Sequence, residues 1–97
     1  MKVTNVNGTS ANPCRCGSWL EHWKRFGRQV LPTCCPAAHC LEKDLVGAHV
    51  QKDSPHDSGW YIVPLCKKHN GEEGKSLTIA DYVVFVSANV AETCGKR

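Results

Sequence analysis

No stretch of the sequence approaches the roughly 18 consecutive apolar residues of a transmembrane helix, so no such span is expected. The opening residues, Met1 to Asn12, hold a single lysine and no apolar block. They do not read as a secretory leader, and a cytoplasmic location is the expectation. There is no internal repeat and no low-complexity tract. A strong excess of one charge is also missing. Twelve lysines and arginines stand against nine aspartates and glutamates, a formal charge of +3. A zinc ion held by three thiolates and one imidazole would bring this to about +2. Such a balance is mildly basic and lacks the signature of a dedicated nucleic-acid binder.

Cysteine, by contrast, is plentiful: seven in 97 residues, an odd number. Without an export signal, metal ligation accounts for these thiols better than a disulfide framework. The length corresponds to one domain, residues 1–97, and the 41% hydrophobic content is that of a globular chain. A core this small commonly needs a staple.

Residues 1–13, rich in Asn, Thr, Ser and Gly, read as a polar N-terminal arm with at most one short strand around Val3 to Val6. Cys14-Arg15-Cys16-Gly17 follows. Ser18 with Glu21 then fits a capping box, in which side chains satisfy two orphan amides at a helix start. Trp19, His22, Trp23 and Phe26 recur at helical spacing, and Gly27 is a stop signal, so a helix is expected over 19–26. Its aromatic face is core-like, while Lys24 and Arg25, with Arg28 just beyond, form a solvated side.

Cys35 and Cys40 are spaced as a zinc knuckle, a tight turn presenting two sulfurs to one ion. Cys34 and His39, each adjacent to one of them, are alternative ligands. Leu45 to Val50, carrying His49, reads as a strand, and 51–59 as a loop. Trp60 to Leu65 is the return strand, with Pro64 placing it at an edge or at its end. Cys66 and His69 then lie where the first turn of a short helix would hold both toward one ion. Leu77 to Ile79 and Tyr82 to Val86 read as further strands, and the tail from Ala91 to Arg97 holds Cys94. Together Cys35, Cys40, Cys66 and His69 make a closed three-sulfur, one-nitrogen structural site. Structural zinc supplies about 10–16 kcal/mol of apparent binding energy, delivered as folding energy. Cys14, Cys16 and Cys94, with His22 or His39, are candidates for a second ion, although one residue between Cys14 and Cys16 is tighter than the usual spacing. Uncoordinated thiols or a redox pair are the alternatives.

The order knuckle, histidine-bearing strand, loop, strand, ligand-bearing helix resembles the treble-clef, or ββα-metal, arrangement of HNH endonucleases over residues 32–71. The matching pieces are Gly47-Ala48-His49-Val50 and Val63-Pro64-Leu65-Cys66-Lys67-Lys68-His69-Asn70. The resemblance implies an α+β fold: a zinc-stabilised ββα core with an N-terminal helix and additional C-terminal strands. It also implies that His49 stands at the general-base position, a task suited to imidazole because its pKa lies near neutrality. The positions that would hold a catalytic divalent ion are Ala48, which has no ligand atom, and Asn70, whose amide oxygen is a weak ligand. Asp44, Asp53, His56 and Asp57 are the other donors near this hairpin. The implied partner is DNA or RNA, with Lys67 and Lys68 on phosphates, and the endonuclease activity is weak or lost. The alternative is a zinc-stabilised protein-interaction domain without chemistry, to which the missing catalytic-metal ligands and Trp19, Trp23 and Trp60 point. His49 would then be a half-buried strand histidine. A thiol-redox role, suggested by Cys14-Arg15-Cys16 and Cys34-Cys35, is the weakest because vicinal cysteines bridge only with strain.

Overall fold

The β-branched and aromatic residues on either side of the polar loop pair as an antiparallel hairpin. Strand β2 (Leu45–Lys52) lies against β3 (Trp60–Cys66), in register from Leu45 opposite Cys66 to Gln51 opposite Trp60. In this computed structural model, which describes residues 1–6, 16–72, 74–89 and 93, the other elements are arranged around that hairpin. Strand β1 (Lys2–Asn5) pairs with β2, and the helix α1 is Trp19–Gly27. The single-turn helix α2 (Lys67–Asn70) follows β3 directly. Strand β4 (Ser76–Thr78) pairs with β1, and β5 (Val86–Ser87) pairs with β3. All pairings are antiparallel, in the order β4-β1-β2-β3-β5.

Successive side chains of a strand point to opposite faces, and here both faces of the hairpin are covered. Ala48, Val50, Ile62, Val63 and Leu65 are all fully buried. One face, carrying Gly47, His49 and Ile62, receives α1. Trp23 at the centre of α1 has no exposure, and its indole nitrogen donates to Val84 O at 2.8 Å. The helix lies directly on Gly47: a Cβ there would come within 2.4 Å of the Trp19 carbonyl carbon and 2.5 Å of the Leu20 nitrogen. Only the absence of a side chain permits this approach. Ser18 caps the helix, its Oγ accepting from Glu21 N at 3.1 Å. Gly27 is the last helical residue, and Arg28 takes the left-handed C-cap conformation instead (φ 51°).

The structure corrects the sequence-based expectations at three places. The short strand expected around Val3 to Val6 is present as residues 2–5, but in the sheet interior and not on an arm: β1 runs between β4 and β2, and Val3 and Asn5 are fully buried. One of its two inward side chains is an asparagine, so the strand carried little apolar signal. Pro64 lies in the interior strand β3, but β5 pairs only with Tyr61 and Ile62. The missing N–H therefore lies beyond the end of the short edge strand. Tyr82 to Phe85 do not form a strand. The Gln29 side chain takes the place of a strand partner, its Oε1 accepting from Val84 N at 3.0 Å and its Nε2 donating to Tyr82 O at 2.8 Å. The other expected strand, Leu77 to Ile79, is present one residue earlier as β4, and Ile79 adds an isolated bridge to Ala37.

Gly47→Ala is expected to destabilise the fold by about 1–3 kcal/mol, because helix backbone must move to admit one methyl group. The urea midpoint, read by circular dichroism, measures this; an unchanged midpoint would mean that α1 is not seated on β2 as described.

Candidate metal centre

Two turns present the donors. The first spans Cys35 to Cys40. Cys35 N donates to Glu42 O at 2.7 Å and Cys40 N to Ala37 O at 3.1 Å, with His39 in the left-handed region (φ 63°). Ala38 N to Thr78 O (2.9 Å) and Ala80 N to Pro36 O (3.0 Å) dock this turn beside β4. The second turn is the junction of β3 with α2. Cys66 is the N-cap of α2, its sulfur accepting from His69 N at 3.5 Å. Its position is secured from β1: Asn5 Nδ2 donates to His69 O at 2.7 Å and to Asn70 O at 2.9 Å. These bonds add to the Glu72 N–H donated to His69 O at 3.2 Å and help satisfy carbonyls at the end of the one-turn helix.

The donor atoms of Cys35, Cys40, Cys66 and His69 all lie within 4.8 Å of one another. Zinc–sulfur bonds of about 2.3 Å and zinc–nitrogen bonds of about 2.05 Å, at tetrahedral angles, place sulfurs about 3.8 Å apart and a sulfur about 3.6 Å from the nitrogen. Cys40 Sγ lies 3.9 Å from Cys66 Sγ, and His69 Nδ1 lies 3.6 Å from Cys35 Sγ and 3.2 Å from Cys66 Sγ. The chemistry agrees with the geometry. Burial, with the neighbouring Cys40 and Cys66, pushes the Cys35 thiol up to about 12. A bound cation would favour the Cys35 thiolate that burial disfavours. The cluster fits a structural zinc ion, with four protein donors and no coordination position left for a substrate.

Cys34 is half-buried, His39 is exposed, and neither belongs to the cluster. No disulfide joins any two of the described cysteines. Of the second candidate group, Cys14 and Cys94 lie outside the described residues, whereas Cys16 and His22 are brought together, with Sγ 3.8 Å from Nδ1.

His49 is 3% exposed. Trp19 packs edge-on against its ring at 4.7 Å and Trp60 approaches at 6.3 Å. Burial first, and then electrostatic repulsion from the neighbouring His22 imidazole, push its pKa down to about 4. Strand alternation places His49 on the α1 face. Ala48 shares the opposite face with Asn5, which grips α2 and therefore Asn70. His49 and Asn70 are thus on opposite faces of the sheet. The hairpin acids have other partners: Asp53 accepts from Thr4 and Ser76, and Asp57 from Tyr61 OH (2.7 Å) and Gly59 N (2.9 Å). Asp44 and His56 are exposed. Lys67 and Lys68 are exposed on α2, and neither forms an ion pair with a described residue. Two residues that matter to the site were missed from sequence: Asn5, hidden in a polar segment, and Gly47, quoted only as part of a motif.

Removal of the ion with a strong chelator is expected to unfold the chain, since about 10–16 kcal/mol of metal binding exceeds the usual stability of so small a domain. Circular dichroism and the melting point report this; a metal-stripped protein with both unchanged would refute the assignment. Acid should weaken the fold through His49. The unfolded chain takes up its proton near the ordinary value of 6.5, the folded chain only near 4. The neutral imidazole therefore costs nothing above about pH 6.5, and stability is lost as the pH falls toward 4, by up to about 3 kcal/mol. Ligand protonation acts on wild type and His49→Gln alike, so the difference between their stability–pH curves isolates the effect. Parallel curves would remove it.

A scan against protein-family models finds no match to the chain, and neither do searches of curated proteins and solved structures. The geometry by itself supports a metal-binding module whose cysteine–histidine cluster fits zinc.

Proposed function

We propose that the protein is a zinc-stabilised, HNH-like module that binds the phosphate backbone of nucleic acid and does not cleave it efficiently. The observation that carries this reading is the closed cluster at the base of a strand hairpin, with Lys67 and Lys68 exposed between its last two ligands. The order of knuckle, hairpin and ligand-bearing turn is that of a treble clef. The turn places both ammonium groups beside the cluster, within reach of the same anion. Contacts of this kind are independent of base sequence.

Efficient cleavage has little support. Phosphodiester hydrolysis needs a base that reaches a water and a cation that stabilises charge on the phosphorus oxygens. His49 is enclosed by Trp19 and Trp60, and a base with a pKa near 4 accepts a proton weakly at neutral pH. Ala48 offers no ligand. A second reading, a protein-interaction domain, is favoured by the exposed apolar side chains of Val30 (88%) and Leu41 (82%).

Titration of the protein with duplex DNA and with RNA at several salt concentrations should show binding that weakens as salt rises. Replacing Lys67 and Lys68 by alanine should reduce the slope of log affinity against log salt by about 2. An unaltered affinity and slope would dismiss the phosphate contacts and leave the interaction domain. In a plasmid-nicking assay with Mg, Mn or Ni, wild type and His49→Ala should be indistinguishable; strong nicking abolished in the variant would overturn the non-cleaving part.

A further inference from the structure

We propose that Cys16 and His22 are ligands of a second zinc ion, separate from the Cys35, Cys40, Cys66 and His69 cluster. His22 is completely buried on α1. Its Nε2 lies 3.0 Å from Ser87 O. A carbonyl oxygen can only accept, so Nε2 carries the hydrogen, and Nδ1 is the ring nitrogen that faces Cys16 Sγ, 3.8 Å away. Two ligands of one zinc ion stand about 3.6 Å apart, sulfur to nitrogen. In the first cluster Cys35 Sγ and the same ring atom of His69 are 3.6 Å apart. An imidazole that donates from its far nitrogen to a backbone carbonyl is also the usual outer support of a metal-bound histidine, fixing both tautomer and ring orientation.

The local backbone is shaped for this convergence. Gly17 holds a left-handed conformation (φ 95°) that L side chains rarely adopt. It lies between Cys16 and the helix cap Ser18, and Cys16 Sγ stands 3.8 Å from the ring of His22, the fourth residue of α1. A tetrahedral ion needs two further donors. The sequence offers Cys14, two residues before Cys16, and Cys94, next to Thr93; the placement of both lies outside the described residues.

The number of metal ions per folded chain decides the matter. Native mass spectrometry with elemental analysis of the full chain, produced with zinc in the medium, should give two zinc ions for wild type. Cys16→Ser should carry one, with the circular dichroism of a folded protein, and His22→Gln should lose the same ion. A wild type with one zinc, or two ions retained in both variants, would overturn the second site while leaving the first cluster intact. A wild type with none would overturn both. Because Cys16 is only half-buried, its serine variant tests ligation even if the buried His22 position does not tolerate glutamine.

Discussion

Three thiols and an imidazole meet at one point, and the rest of the structure is arranged to bring them there. Cys35 and His69 are 34 residues apart in sequence, and Cys40 and Cys66 are 26 apart. Drawing such distant turns together costs chain entropy, and crowding their sulfurs away from water raises the cost of ionising them. A divalent cation offsets both at once. It ties the loops as a cross-link would, and it supplies the charge that lets buried thiols exist as thiolates.

The sheet supports the cluster from two directions. Strand β1 pairs with β2 and β4 through its backbone, and through the Asn5 amide it also holds the carbonyls of the α2 turn. On the other face, α1 sits against Gly47 and meets the hairpin through rings more than through aliphatic side chains. Trp19 touches both His22 and His49, His22 meets Phe26, and His49 meets Trp60. Within this layer the His49 imidazole is desolvated and favours the neutral form. That suits a histidine for ligation or packing better than for proton transfer at neutral pH.

Spacing made the ligand pairs visible: Cys35 with Cys40, and Cys66 with His69, each have a separation that a single tight turn can present to one ion. Apolar pattern made the hairpin and α1 visible, because β-branched runs and helical aromatic spacing are local signals. It was the choice between neighbours that was not legible. Cys34 against Cys35, or His39 against Cys40, differ only in which way one residue points, and that direction is set by backbone bonds to Glu42 and Ala37.

What the sequence by itself determined is therefore local: a cysteine-rich domain, the hairpin, the capped helix and the two turns that carry the candidate metal ligands. What only the tertiary structure decided is non-local. It placed β1 inside the sheet, packed α1 onto Gly47, replaced a strand by the Gln29 side chain and enclosed His49 between two tryptophans. The reason is physical. Ligand spacing and amphipathic period are written within a few residues, whereas burial and pKa depend on which distant surface covers a side chain, and no short stretch of sequence carries that.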